Sequence, residues 1–131
     1  MSVTFANINL GEYYSRPELA RLWGYSGYQA LARGVVTPRN DNKIILFVTS
    51  EKQEHLEQYN DKLVGDTLYW EGPTDHFAED RLVNSASLGD EIHLFYRDRH
   101  HSAFRYEGEF TVIDCHLLPD QPSRFVFRRR S

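Results

Sequence analysis

The 131-residue chain contains one cysteine, one methionine and only three lysines, Lys43, Lys52 and Lys62. A single cysteine excludes an internal disulfide, so nothing here calls for an oxidising compartment. No apolar run approaches the length of a membrane span, and no charged-then-apolar leader pattern opens the sequence. The expectation is a soluble, cytoplasmic protein without a membrane partner. Catalytic signatures are missing too. There is no Walker loop, GxSxG, HExxH or HNH pattern, and none of the three lysines fits the acid-and-lysine arrangement of a restriction-type nuclease core. Zinc spacings of the CxxC or HxxxH kind are absent. The neighbours His100-His101 and Cys115-His116 would point to opposite faces of a strand, so neither pair chelates as it stands. The sequence therefore predicts no catalytic residue, no metal and no cofactor.

What is present is aromatic and unevenly charged. Phe, Tyr and Trp make up 14% of the chain, enough either to fill a compact core with rings or to stack on a ligand. The net charge of −4 argues against a protein that coats nucleic acid by bulk electrostatics. That average hides a gradient. Residues 1–96 carry 8 Lys and Arg against 14 acids, whereas residues 97–131 carry 7 Arg against 5 acids. Every cation of the second stretch is Arg, whose planar fork grips phosphate or carboxylate in a way that Lys does not. A solvated charged face explains the same residues without any ligand.

The length suits one domain over residues 1–131, with a helical lead-in to about residue 40 and a strand-rich part from 43 to 128. "YSRPELARLWGY" carries a capping box, with Ser15 as N-cap, Pro17 in the first turn and Glu18 at N3. Leu19, Leu22 and Trp23 follow at helical spacing, and "SGYQALARG" reads as a second short helix closed by Gly34. "KIILFVT" is a continuous β-branched run, expected as a central strand buried on both faces. "SEKQEHLEQYNDKLVG" reads as a helical turn or surface excursion, "DTLYWEG" as a strand, and "DHFAEDRLVNSASLG" as a weak helix or loop. "DEIHLFYRDR" and "FRYEGEFTVIDCH" read as an antiparallel pair around the tip "HHSA". Simple alternation puts Phe104, Tyr106, Phe110 and Val112 on one face of the second member, with Gly108 marking a bulge or a close approach. "RFVFRR" closes the set with Phe125 and Phe127. The predicted class is α+β: a small bent sheet or barrel of about five strands behind short leading helices.

The stretch "GDEIHLFYRDRHHSAFRYEGEFTVID" resembles PUA-like domains, the superfamily of the SRA, EVE, YTH and ASCH modules. The matching positions are Gly89-Asp90, Ile92 to Tyr96, Gly108 and Val112-Ile113. "YSRPELARLWGY…GVVTPR…ILFVT…YWEGP", within residues 13 to 128, is similar to an uncharacterised domain appended to DEAD/DEAH-type helicases and HNH nucleases of restriction-like systems. The resemblance implies a reader of modified nucleic acid, DNA before RNA, that holds a modified base among aromatic rings. Flipping such a base costs a few kcal/mol, offset by stacking and edge hydrogen bonds. Arg contacts to phosphate then position the strand without reading sequence. A separate nuclease or helicase would be the effector.

The candidate phosphate contacts are Arg39, on a loop stiffened by Pro38, with Arg97 and Arg99 taken to share one strand face and Arg105 across the hairpin tip. The candidate base pocket is Trp70, Tyr25 and Glu71, with Glu71 as acceptor for an exocyclic amine. Each has a structural alternative: Trp70 as core, Tyr25 as helix packing, Glu71 as a solvated strand end. Two competing functions remain open, a protein-interaction module that docks a helicase or nuclease, and a small enzyme acting on nucleotides.

Overall fold

The structure is a computed structural model and describes residues 3–50 and 61–130. Helix α1 (Arg16–Leu22) starts as its capping box dictates. The Ser15 hydroxyl accepts from the Glu18 amide at 3.2 Å, and the Glu18 carboxylate accepts from the Ser15 amide at 3.0 Å. Leu19, Ala20 and Trp23 are buried, and the Trp23 indole donates to Thr4 O at 2.8 Å. Leu22 points outward and is 52% exposed, so the apolar stripe is narrower than the spacing suggested. The expected second helix is a single 3-10 turn, Tyr28–Leu31. Gly27 supplies no side-chain cap, and Leu31 alone of the four is buried, too little to hold a longer helix.

Eight strands follow the chain: β1 (Tyr13–Tyr14), β2 (Val35–Val36), β3 (Lys43–Thr49), β4 (Lys62–Val64), β5 (Thr67–Glu71), β6 (Glu91–Arg97), β7 (Phe104–His116) and β8 (Arg124–Arg129). They form one mixed, unclosed sheet in the order β2-β3-β6-β7-β8-β5-β4, with β1 paired to the start of β7. The strands missed by the sequence, β1, β2 and β4, have two or three residues each, too few to display alternation. Most of the predicted surface excursion lies outside the described residues; its end is β4. The parallel pair β3–β6 sits at the centre of the buried region, and β3 is covered on both faces as expected. Ile45 and Phe47 enter one core; Ile44, Leu46 and Val48 enter the other.

Those two cores account for most of the aromatic content. The outer core packs α1, the 3-10 turn and the N-terminal segment onto the sheet through Tyr14, Trp23, Phe47, Phe95, Phe104 and Tyr106. The inner core gathers Leu68, Trp70, Leu82, Phe110, Phe125 and Phe127 inside the curl of the sheet. Curling brings the edge strand β4 back towards β6, where the Leu63 amide donates to the Tyr96 hydroxyl at 3.2 Å. Helix α2 (Glu79–Val83) and helix α3 (Ser85–Leu88) occupy the stretch read as weak helix or loop, and Leu82 of α2 plugs one end of the inner core.

A bulge in β7 corrects the reading of its faces. Leu94 pairs with Gly108 and Phe95 with Tyr106, leaving Glu107 as the extra residue beside a Gly108 at φ +98°. The insertion shifts the phase by one. Phe104 and Tyr106 therefore enter the outer core, while Phe110 and Val112 face the inner one. Gly108 marks a bulge, one of the two roles expected of it, but unbroken alternation across it does not hold.

Candidate nucleic-acid interface

Opposite the end plugged by α2, the inner side of the sheet opens into a cleft of about 750 Å³. Its walls come from β1 and the run into it (Leu10, Gly11, Tyr13), from β4 and its turn (Leu63, Gly65), and from the β6–β7 hairpin (Tyr96 to Arg99, Ser102, Ala103, and Arg105 to Glu107). Arg129 of β8 closes the circuit. Three tyrosines, four arginines and two carboxylates thus face one space.

Arg97 is held firmly. Its Nε donates to Thr49 Oγ1 at 2.8 Å and its Nη1 to Ser102 O at 3.0 Å, while the guanidinium lies 4.2 Å from the Phe104 ring centre. Burial lowers its pKa. β6 ends at Arg97, so Arg99 belongs to the hairpin turn and does not share a strand face with it. Arg99 is exposed, and its carbonyl accepts from the Ser102 hydroxyl at 2.7 Å; the tip residue His101 stands at φ +69°. Arg105 is half exposed and reaches Glu107 at 3.6 Å. Glu107 is 7% exposed and accepts from Arg129 Nη2 at 2.8 Å, while Arg129 Nη1 also pairs with Asp66. The bulge is what turns Glu107 into the floor of this cleft.

Three of the predicted phosphate contacts, Arg97, Arg99 and Arg105, therefore meet on one rim. Arg39 is exposed on the turn before β3, at the other end of that strand, roughly 20 Å away at the rise of a seven-residue strand. The predicted base-pocket residues lie away from the cleft as well. Trp70 is 5% exposed and packs on Phe125 and Phe127, because the β5–β8 register turns it into the inner core. Its neighbour Glu71 pairs in register with Arg124; burial raises its pKa while Arg124 opposes the shift. Tyr25 is half-buried against the outer core, its pKa raised by burial and by Asp41. The sequence reading passed over Tyr13, Tyr96, Glu107 and Arg129. The adjacency of Tyr96 to Arg97 was the available signal for one of them; the other three reach the cleft through pairing across the sheet.

A second polar group lies under the N-terminal segment. Glu91, His93 and Glu109 place three potential metal-ligand atoms within 4.8 Å of one another. His93 and Glu91 are already hydrogen-bonded, and Glu109 pairs with Arg130 at 3.7 Å. His93 Nδ1 meets the Tyr106 hydroxyl at 2.7 Å, His93 Nε2 meets Glu91 at 3.0 Å, and Lys43 stands 3.9 Å from Glu91. Burial pushes the His93 pKa down and the Tyr106 pKa up, so the two are held neutral. A neutral imidazole then donates from Nε2 to Glu91 and accepts a hydrogen bond from the Tyr106 hydroxyl at Nδ1. Phe5 stacks on the ring at 3.7 Å. The arrangement is a closed network that ties β6 to β7.

The chain shares its fold with solved SRA domains. The SRA domain of SUVH5 in its complex with hemi-methylated CG DNA matches with a TM-score of 0.67 at 16% identity, over 99% of this chain and 94% of that one. The same domain with fully methylated CG DNA matches with a TM-score of 0.61 at 16% identity and the same coverage. The DNA modification-dependent restriction endonuclease AspBHI matches with a TM-score of 0.59 at 15% identity, over 98% of this chain but 44% of the endonuclease. No family model matches the sequence. No curated protein matches it either.

Proposed function

We propose that the chain is a non-catalytic reader of modified DNA in a restriction or defence setting, and that the bound strand engages the cleft at the open end of the sheet. The observation that carries this reading is the convergence of Arg97, Arg99 and Arg105 with Tyr13 and Tyr96 on one cleft, in a fold whose solved relatives include complexes with methylated DNA. Arg97, Arg99 and Arg105 contact phosphate and set the position of the strand. Tyr13, 65% exposed at the rim, offers a ring face to a base out of the stack, and Glu107 offers an acceptor on the floor. A cleft built from few but concentrated arginines is compatible with a net charge of −4, because contact is local. The effector is a separate nuclease or helicase partner.

The test is fluorescence anisotropy on duplexes that are unmodified or carry 5-methylcytosine, 5-hydroxymethylcytosine, N6-methyladenine or phosphorothioate, at two salt concentrations. A preference of about tenfold, or ~1.4 kcal/mol, for one modified duplex supports the reader. Absence of binding to every duplex at low salt contradicts it. A partner interaction that ignores salt would then favour a protein-docking module.

A further inference from the structure

Beside the cleft, two arginines share one aromatic ring without a carboxylate to balance them. The Arg16 guanidinium lies 5.0 Å from the Phe104 ring centre and 4.7 Å from that of Phe47; Arg97 lies 4.2 Å from Phe104 on its own account. Arg16 Nε donates to Leu31 O at 2.6 Å. Among the described residues, no carboxylate pairs with Arg16 or Arg97, and neither the two η nitrogens of Arg16 nor Nη2 of Arg97 meets a protein acceptor. Burial lowers the pKa of Arg16, and the charge of Arg97 lowers it further. Two half-buried like charges in this position oppose folding, and an acceptor-rich anion would offset that cost. Guanidinium forks held by aromatic stacking are preorganised for such an anion, since little side-chain freedom is left to lose.

We propose that Arg16 and Arg97 form a phosphate seat next to the cleft, and that it takes a backbone phosphate of the bound strand outside the base that enters. This rests on the modified-DNA reading, which supplies the strand. Arg97 then serves both rims: it lines the cleft and faces the seat. The seat reads no sequence and no modification. It adds affinity and salt dependence equally for every duplex.

The experiment compares wild type with Arg16→Gln and Arg16→Lys by duplex anisotropy across a salt series, with thermal unfolding in parallel. The seat predicts that Arg16→Gln lowers the salt slope by about one and weakens modified and unmodified duplexes by the same factor, about tenfold. It also predicts an unchanged or raised Tm, because a repulsive pair has been removed. An unchanged slope overturns the seat, as does a loss confined to the modified duplex. If Arg16→Gln does not fold, Arg16→Lys carries the test: weaker binding at an unchanged slope supports a forked phosphate contact, and unchanged affinity overturns it. Should wild type bind no duplex, the reader has failed first. Inorganic phosphate then decides the seat alone: a Tm rise in wild type that Arg16→Lys lacks supports it, and no rise overturns it.

Discussion

The two ends of the curled sheet handle charge in opposite ways. At the plugged end, the charges of Arg81, Lys43 and Arg130 near the start of β3 and β6 are paired. Arg81 grips Asp90 at 3.1 Å and donates to Asp41 O at 2.6 Å, Lys43 bridges Asp41 and Glu91, and Arg130 reaches Glu109 at 3.7 Å. At the open end, Arg16 and Arg97 have no carboxylate partner among the described residues, and Arg99 is exposed on the hairpin. The contrast separates two uses of the same residue type. Paired arginines hold a fold shut, whereas arginines anchored by carbonyls, hydroxyls and ring faces stay available to an anion that the protein lacks. Position alone does not tell these apart; partners do.

The comparison breaks most sharply if the open end is stripped. Replacing Arg97, Arg99 and Arg105 together by Ala should reduce duplex affinity by at least a hundredfold, about 3 kcal/mol, and flatten the salt slope by about three, while Tm moves little. Anisotropy with parallel unfolding curves checks both halves. Arg81→Ala should do the reverse. It leaves Asp90, 7% exposed at its side chain, without its partner, and should cost about 2–3 kcal/mol in urea unfolding while the folded fraction binds normally.

Smaller effects sharpen the picture. Gly108→Ala forces a side chain into φ +98° and sets its Cβ 3.2 Å from Leu10 Cδ1. A loss of about 1 kcal/mol in stability is expected, with weaker binding as well, because Leu10 and Glu107 both line the cleft. The smallest effect concerns pH. The folded state holds His93 below its ordinary value near 6.5, so above that pH neither state is protonated and the stability is fully present. As pH falls through 6.5 the unfolded chain takes up a proton first, and stability drops. Glu91, lowered chiefly by the His93 hydrogen bond, adds to the loss at lower pH. His93→Gln keeps a donor and an acceptor, and should flatten the decline in Tm between about pH 7.5 and about pH 5.5 by a few degrees.

Local chemistry made much of this legible in the sequence. The capping box of α1, the two-sided burial of β3, the β6–β7 hairpin and the bulge at Gly108 all follow from neighbours within a few residues. So does the arginine cluster Arg97, Arg99 and Arg105, because the hairpin brings its own members together. The rest depends on distant pairing. Trp70 and Glu71 end a strand beside a Gly-Pro turn, which suggested a projecting ring, but the β5–β8 register sends Trp70 inward. The phase shift at Glu107 moves Phe110 to the other core and brings an acidic side chain into the cleft, which alternation does not forecast. Tyr13 and Arg129 lie more than a hundred residues apart and meet there only because β1 and β8 share β7 as a partner.

The most direct test of the central claim is amide NMR of the labelled protein during titration with its preferred duplex. The account predicts shifts concentrated in residues 10–16, 96–107 and 129, with Arg39, Glu71 and residues 79–90 unmoved. Shifts centred on the α2 end, with the β6–β7 hairpin silent, would contradict it.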